Sequence, residues 1–322
     1  MVRAASIAVV LAVVALAGCG SDDDGGDAAA SGEKEKVTVG WSQANNGHPW
    51  RVAQTAAVEE TWKSTAADRG ELISTDGQDK AEKQTADVDD MVARGVDLLI
   101  LTPLTADALT PVTKRAMDEK IPVVTLDREV NTPVTVHIGA DNKAIGKSAA
   151  QYVGTELLKG KGTVVELQGT LGASATIDRH DQFVKELKAS APGVKIIASQ
   201  TAEYEREAAV KTTEDMLQRF GPGKIDVIYC HNDDMAFGAI QALKAANRLD
   251  EIKVVGIDGA NEAFEAIKAG DMAATFTYFN GGKEGVETAL KILDGEDVPP
   301  KITLESEKVD ASNVDEWVGK GF

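Results

Sequence analysis

The sequence is short of aromatic residues and of basic residues, and each shortage argues against a class of protein. Aromatic residues make up 5% of the 322 residues, and no basic run is interleaved with them. Asp and Glu outnumber Lys and Arg by 52 to 34, which gives a formal net charge of −18. Because so acidic a surface repels phosphate backbones and anionic lipid headgroups, the composition argues against nucleic-acid binding and against direct contact with a membrane surface.

The one long apolar run lies near the start of the chain, where residues 7–17 follow Arg3. This run is shorter than a membrane span requires, so it predicts an export signal over residues 1–18. The end of that signal, Leu16-Ala17-Gly18-Cys19, resembles the bacterial lipobox, which implies cleavage before Cys19 and attachment of a diacylglyceryl group to its sulfur. The alternative is a secreted protein in which Cys19 has no special role.

Residues 19–36 are predicted to be a lipidated cysteine followed by a flexible acidic tether. The stretch GSDDDGGDAAASGEKEK is rich in small and acidic residues and has no apolar periodicity. A flexible chain of this length spans about 20–25 Å on average. Lipidation of Cys19 would leave Cys230 without a disulfide partner, and the apolar run around Cys230 predicts a buried free thiol.

From residue 37 onward, short β-branched runs alternate with longer amphipathic stretches. We count eleven candidate strands, the last over residues 302–304, and nine candidate helices. Gly70, Gly95 and Gly270 each follow a helical pattern, as C-terminal glycines do, and Asp141 and Asp233 occupy expected N-cap positions. Runs that are apolar on both faces favour parallel sheets covered by helices, and eleven strands suit two sheets better than one. The predicted fold class is therefore α/β, with two doubly wound parallel-sheet lobes.

Polar residues follow nearly every predicted strand. Gln43 ends the first, and Asp127 and Arg128 follow PVVTL. Asn232 lies two residues after DVIYC, and Asp258 follows KVVGI. In open parallel sheets, ligands bind beyond the carboxyl ends of the strands. We therefore expect these side chains to face a cleft, although each one alone could equally cap a helix or solvate a loop.

The side chains at the strand ends suit a sugar. Carboxylates accept hydrogen bonds, carboxamides donate and accept them, and arginine donates several at fixed geometry, which is the mixture that adjacent hydroxyls need. Trp50, near the first of these strand ends, could cover the C–H face of a sugar ring, although it could also be a core residue.

At these residues the chain resembles the type I periplasmic sugar-binding proteins, the substrate-binding subunits of bacterial ABC importers, of which ribose-binding protein is the best-known example. The resemblance extends from about residue 37 to the end of the chain and is carried by four motifs: IPVVTLDR (121–128), VVELQGTLGASATIDR (164–179), HNDDMAFGAIQAL (231–243) and VVGIDG (254–259). Within that family it is greatest to galactofuranose-binding proteins, through GWSQANNGHPWR (40–51), LQGTLGASATIDR and HNDDM.

The resemblance implies a set of sugar-binding residues. Asp127 and Arg128 would bind hydroxyls from the first lobe, and Arg179 would bind from the second. Trp50 and Arg51 match an aromatic–arginine pair, and Tyr204 matches a second aromatic. The predicted sugar-binding set is Gln43, Trp50, Arg51, Asp127, Arg128, Arg179, Tyr204, Asn232 and Asp258.

The resemblance also implies an architecture and partners. The chain would cross between lobes three times, near residues 139–142, 274–278 and 302–306. Lobe one would comprise 37–140 plus 278–302, and lobe two 141–277 plus 303–322. The expected function is that of a monomeric lipoprotein that delivers a monosaccharide, galactofuranose or a related hexose or pentose, to the transmembrane subunits of an ABC permease. The membrane would be contacted only through the lipid.

Three other functions compete with this one. A carbohydrate-acting enzyme could use Asp127, Asp233, Asp234 or Asp258 as a carboxylate pair, but only their presence supports it. A sugar-responsive repressor would carry a basic helix-turn-helix where this chain has an acidic tether. A non-sugar polar ligand such as an autoinducer stays open. No metal-ligand spacing and no phosphate-loop motif is present in the sequence, so neither a metal nor a cofactor is predicted.

Overall fold

The structure, a computed structural model, describes residues 36–322. The predicted signal segment and nearly all of the tether, with Cys19, lie outside the described residues. The described chain forms two six-stranded sheets with helices packed on both faces of each. The predicted fold class, two parallel-sheet α/β lobes, is confirmed. None of the described helices is long and apolar enough to cross a bilayer.

Lobe one is built on the first sheet, with elements numbered in chain order. Its strands are β1 (Val37–Gln43), β2 (Gly70–Asp76), β3 (Leu98–Leu101), β4 (Val123–Leu126), β5 (Val136–Ala140) and β11 (Lys301–Leu304). Its helices are α1 (Pro49–Thr65), α2 (Ala81–Arg94), α3 (Ala106–Asp118) and α9 (Gly282–Leu293). The strands pair in parallel in the order β11-β5-β4-β3-β1-β2.

The central strand β3 shows why this sheet is covered on both faces. All four of its residues are buried. Leu98 and Ile100 pack into one apolar cluster with α1 and α9, whereas Leu99 and Leu101 pack into another with α2 and α3. Because successive strand residues point to opposite faces, a run of four apolar residues needs a helical layer on each side.

Lobe two is built on the second sheet. Its strands are β6 (Lys161–Gln168), β7 (Gly193–Thr201), β8 (Val227–Cys230), β9 (Lys253–Val255), β10 (Ala274–Phe276) and β12 (Lys308–Asp310). Its helices are α4 (Asn142–Gln151), which continues as a π-helical segment (Tyr152–Leu157), α5 (Ser174–Ser190), α6 (Arg206–Arg219), α7 (Asp233–Ala245) and α8 (Asn261–Ala269). Cys230 ends β8 as a buried free thiol, as predicted.

The second sheet departs from the prediction at its edge. Its order is β12-β10-β9-β8-β6-β7, and β12 pairs antiparallel with β10. The sequence did not predict β12, because this three-residue strand contains a single apolar residue, Val309, and so shows no periodicity. Pairing with β10, more than thirty residues earlier in the chain, is what makes the segment a strand.

The chain passes between the two sheets three times. It leaves the first sheet after β5, returns to it between β10 and α9, and leaves it again between β11 and β12. The sequence-based boundary after residue 302 falls inside β11, since Thr303 and Leu304 still pair with Gly139 and Ala140 of the first sheet.

The helix-end predictions divide in an instructive way. Gly95 and Gly270 follow α2 and α8 in the left-handed conformation, and Asp141 caps α4 by accepting hydrogen bonds from two backbone amides. Gly70 instead begins β2, because α1 ends five residues earlier. Asp233 is the first residue of α7, and the cap is Asn232, whose side chain accepts from the amide of Met235.

Candidate functional site

The carboxyl ends of strands from both sheets meet at one cavity. Side chains from lobe one, lobe two and the second crossing close it on different sides. The lining residues are His48, Trp50, Arg51, Asp127, Arg128, Ala175, Arg179, Tyr204, Asn232, Asp258 and Tyr278. Eight of the nine predicted sugar-binding residues are therefore brought together at one place.

Three of the lining residues have unusual backbones. Asp127, Tyr204 and Asp258 have φ angles of 63°, 67° and 142°, a region that residues with a side chain rarely adopt. The amides of Asp127 and Asp258 are held by the carbonyls of Ile138 and Phe276, each on the neighbouring strand. Strained backbone of this kind persists where the surrounding structure enforces it, which is common at functional sites.

Asp127 is the centre of the lobe-one wall. Its Oδ2 lies 2.6 Å from Arg51 Nη2, and its Oδ1 accepts a 2.6 Å hydrogen bond from the hydroxyl of Tyr278. Burial alone would raise the pKa of Asp127, but the charges of Arg51 and Arg128 and the bond from Tyr278 outweigh burial and lower it. The carboxylate is therefore held ionised.

Arg128 lies beside Asp127 and is almost completely buried. Its Nη1 donates to the carbonyl oxygen of Leu104 at 2.8 Å, and its guanidinium lies 5.4 Å from the ring of Tyr204. Burial, with the nearby charge of Arg51, lowers the pKa of Arg128 to about 10, so the side chain stays protonated at neutral pH. Its Nε has no hydrogen-bond partner among the described residues.

Arg179, on α5, is the corresponding cation of lobe two. Its Nε donates to Asn142 Oδ1 at 2.8 Å, and its Nη1 donates to the carbonyl of His231. Helix α5 can lie this close to α4 because Gly146 has no side chain, since a Cβ there would come within 2.5 Å of the carbonyl oxygen of Arg179. The guanidinium is thus fixed against the cavity, 4.5 Å from the ring of Tyr278.

Tyr204 and Asn232 form the next part of the lobe-two wall. The ring of Tyr204 packs directly over Gly169, where a Cβ would lie 2.0 Å from the ring, and its hydroxyl bonds Thr176 at 2.8 Å. Asn232 donates from Nδ2 to the Tyr204 carbonyl at 3.2 Å while its Oδ1 caps α7. The side-chain amide of Asn232 therefore holds both the start of α7 and the backbone of Tyr204.

Asp258 has surroundings unlike those of Asp127. Burial, together with the neighbouring charge of Asp233, raises the pKa of Asp258 well above its usual range, and Arg179 only partly opposes this. Asp233 in turn accepts hydrogen bonds from the amides of Gly259 and Ala260 and from the hydroxyl of Thr275. Asp233 therefore holds the loop that positions Asp258, and it does not line the cavity itself.

Trp50 connects the lobe-one wall to the second crossing. Its indole Nε1 donates to the carbonyl of Tyr278 at 2.8 Å, and the two rings lie 5.5 Å apart at 40°. The guanidinium of Arg51 lies 4.9 Å from the indole ring. The predicted stacking of Trp50 on a sugar stays a prediction, although the ring does line the cavity.

Gln43 is the one predicted residue that does not line the cavity. Its Nε2 donates to Gln54 Oε1 at 3.0 Å and to the Thr55 hydroxyl at 3.3 Å, and its Oε1 accepts from the amide of Ala44. These bonds tie the end of β1 to α1. The side chain of Gln43 is fully buried, and it supports the lobe-one wall from behind.

The sequence-based set omitted His48, Ala175 and Tyr278. His48 is 6% exposed, and neither of its ring nitrogens has a partner among the described residues. Burial, followed by the charges of Arg51 and Arg128, lowers the pKa of His48 to about 3, so the imidazole is neutral. Tyr278 lies two residues after β10, as Asn232 does after β8. His48 lies nearer the end of β1 than Trp50 does, so the strand-end rule could have included both.

Comparison with known proteins gives a consistent result. Residues 39–297 match the family model described as periplasmic binding protein domain. The chain is 37% identical over 277 residues to a galactofuranose-binding protein of Escherichia coli strain K12, which covers 83% of this chain and 86% of that protein. It is 30% identical over 318 residues to a ribose import binding protein of Bacillus subtilis strain 168, covering 96% of this chain and all of that protein.

A solved structure shows the same similarity in three dimensions. The crystal structure of a galactofuranose-binding protein superimposes with a TM-score of 0.82 at 32% sequence identity, covering 88% of this chain and 98% of that one. The similarity therefore extends over both lobes.

Proposed function

The chain belongs to the periplasmic binding protein family, and from that premise we propose that it captures a monosaccharide between its lobes and delivers it to the permease of an ABC importer. One observation carries the proposal. The cavity is lined from both lobes by fixed charged and polar side chains, with Arg51 and Asp127 on one wall and Arg179 and Asp258 on the other.

The chemistry of the walls favours a ligand with several hydroxyl groups. The donors and acceptors are already oriented by bonds within the protein, as Arg179 is by Asn142 and His231. A ligand group that failed to pair with such buried groups would cost about 1–3 kcal/mol, so the site should discriminate single hydroxyls. The indole of Trp50 offers an apolar face for the ring carbons.

The named relatives set the order of the candidate sugars. Galactofuranose is the first candidate, supported by the 37% identity to a protein with that ligand in its name. A related hexose or pentose is the next, and a non-sugar polar ligand such as an autoinducer is the remaining alternative.

The carboxylates do not favour a carbohydrate-acting enzyme. Asp127 is engaged by Arg51 and Tyr278, and Asp233 accepts three hydrogen bonds behind the wall. The relatives are binding proteins, which supports binding without chemistry at the level of the family.

Capture would depend on movement at the crossings between lobes. We place lobe one at residues 37–140 and 278–304, and lobe two at 141–277 and 305–322, following the sheets to which the strands belong. Opening about these three short segments would separate Arg179 and Asp258 from Asp127 and admit the ligand, and closure would return them to one cavity. The family places the protein outside the cytoplasm, where Cys19 would anchor it to the cell membrane.

A thermal-shift screen of the full-length protein tests the function. The panel contains galactofuranose, galactose, ribose, arabinose, fructose and inositol. A ligand at about 100 times its Kd stabilises the folded state by roughly 2.7 kcal/mol, which gives a clear rise in Tm. A rise with one sugar supports the proposal and identifies the ligand. If none of the sugars raises the Tm, the result contradicts the proposed function.

The anchor is tested separately. Substitution of Cys19→Ser should move the protein from the membrane fraction to the soluble fraction, because the acidic tether has no affinity of its own for anionic lipid. Fractionation followed by immunoblotting measures this. A Cys19→Ser protein that still sediments with membranes would show that the lipobox interpretation is wrong.

A further inference from the structure

An apolar groove opens from the sugar cavity toward solvent. Its volume is about 1150 Å³ out to its open mouth, and it shares His48, Trp50, Asn232 and Asp258 with the cavity. The two spaces are therefore adjacent, and these four residues, here called the neck, lie between them.

The groove wall in lobe one is an apolar stripe on α1. Pro49, Val52, Ala53 and Ala56 follow one another at spacings of three, one and three residues, which places them on one face of the helix. That face packs against no core of its own, and Val52 is 51% exposed. Phe237 of α7 and Phe322 face it from lobe two.

The polar groups at the groove edge are occupied with one another. Arg206 Nη2 lies 2.9 Å from Asp234 Oδ1 and 2.7 Å from Glu262 Oε2, and its guanidinium covers the ring of Phe237 at 4.6 Å. A second hydroxyl-rich sugar would therefore find few free partners here. An apolar group would instead meet the α1 stripe and the two phenylalanine rings.

His48 sits at the neck with two unsatisfied nitrogens. Its ring is neutral and buried, so one nitrogen donates and the other accepts, and neither is satisfied by the described residues. A ligand oxygen that joins a sugar to a substituent would pass directly beside this imidazole. The neck therefore supplies hydrogen bonding at the junction of a polar and an apolar part.

We propose that the ligand is a substituted sugar, with its ring in the cavity and an apolar alkyl or aryl group in the groove. This inference rests on the proposed function, because it assumes that a sugar occupies the cavity. It adds that the substituent contributes to affinity, so that a glycoside binds more tightly than the free sugar from which it derives.

Matched pairs of ligands test the proposal in the full-length protein. Free galactose, galactofuranose, arabinose and ribose are compared by calorimetry with their propyl and phenyl glycosides. For at least one pair, burial of the added carbons in the groove should tighten binding roughly tenfold or more.

Two groove variants locate the effect. Ala56→Trp fills the groove, and Val52→Asp places a charge on its wall at an exposed position near the start of α1, where an acid does not disfavour the helix. Each should remove the advantage of the glycoside while leaving the affinity for the free sugar unchanged. Glu59→Trp, an exposed position on the same helix that does not line the groove, is the matched control and should change neither affinity.

The outcomes separate this inference from the function on which it rests. Binding of a free sugar with no gain from any glycoside overturns the inference and leaves sugar binding in place. A gain that survives both groove variants also overturns it, because the substituent must then lie elsewhere. Failure of all free sugars and all glycosides to bind overturns both.

Discussion

The two walls of the cavity present an aspartate at matching positions, yet the two carboxyl groups have opposite electrostatics. Asp127 and Asp258 each come after a strand, and each has a positive φ angle. The backbone amide of each donates to a carbonyl oxygen on a neighbouring strand. The lobe-one acid is ion-paired with Arg51, so its pKa is lowered, whereas the lobe-two acid is buried near Asp233, so its pKa is raised. Position in the fold fixes where an acid points, and its neighbours decide its charge.

Removal of the cation from the lobe-one wall should produce the largest effect. Arg51→Ala leaves Asp127 buried without its closest cation, and breaking a buried pair in this way costs about 3–5 kcal/mol of unfolding free energy. Urea unfolding at pH 7 measures the loss. The double variant Arg51→Ala/Asp127→Asn should recover part of it, and a loss in Arg51→Ala below about 1 kcal/mol would contradict the importance of the pair.

A buried acid of lobe two, Asp233, should instead make the free energy of unfolding depend on pH between about 4 and 7. Burial raises the pKa of Asp233 from its ordinary 3.8 to about 7, which corresponds to about 4 kcal/mol. The stabilising contribution is complete below pH 4 and is lost as the pH rises through 7. Asp233→Asn imitates the protonated form, since its oxygen can accept from the two amides and its NH₂ can donate to Thr275.

Unfolding measured from pH 4 to pH 8 tests this difference between the walls. The wild-type free energy of unfolding should fall relative to that of Asp233→Asn by about 1.4 kcal/mol per pH unit between pH 4 and about 7, and the difference should level off above that. If the two proteins lose unfolding free energy in parallel as the pH rises, ionisation of buried Asp233 does not destabilise the folded state.

The matched pair of substitutions at the cavity compares the walls directly. Asp127→Asn removes an ionised acceptor and should weaken sugar binding at least about tenfold, because hydrogen bonds to charged groups are the stronger ones. Asp258→Asn replaces a carboxyl already disposed to protonation and should weaken binding only about threefold. Calorimetry with the sugar found in the screen measures both, and equal losses would remove the proposed asymmetry.

The smallest effect on binding is expected behind the lobe-one wall. Gln43→Ala should change sugar affinity less than about twofold, while loss of its buried hydrogen bonds lowers the unfolding free energy by about 1 kcal/mol. Arg179→Ala, which alters the cavity itself, is the comparison and should weaken binding at least about tenfold. A large affinity loss in Gln43→Ala alone would place the ligand nearer the end of β1.

Most of the fold was predictable because its signals are local. A short window of sequence is enough to identify the apolar runs of β3 and β4 and the nine amphipathic stretches. Strand β12 was missed because three residues with one apolar side chain carry no period. The lobe boundary was placed at residue 302, inside β11, because pairing with β5, and not the local sequence, assigns Thr303 and Leu304 to the first sheet.

Much of the candidate site was predictable for a different reason. Parallel strands bring their carboxyl ends to one edge, so residues such as Asp127 and Asp258 could be grouped without knowing any contact. His48 and Tyr278 were left out although they lie no farther beyond their strands than residues in the set, because position after a strand does not show which side chains face the cavity. Gln43 was included because the rule cannot tell a side chain that faces the cavity from one that turns back to α1.

The sequence by itself determined two α/β lobes with polar strand ends, since hydrophobic periodicity and chain punctuation act over short distances. Only the tertiary structure decided which groups meet. Trp50 reaches the carbonyl of Tyr278 across 228 residues, and the hydroxyl of Tyr278 reaches Asp127 across 151. Contacts so distant in sequence leave no local pattern, yet they fix Trp50 and Tyr278 at the cavity and help to lower the pKa of Asp127.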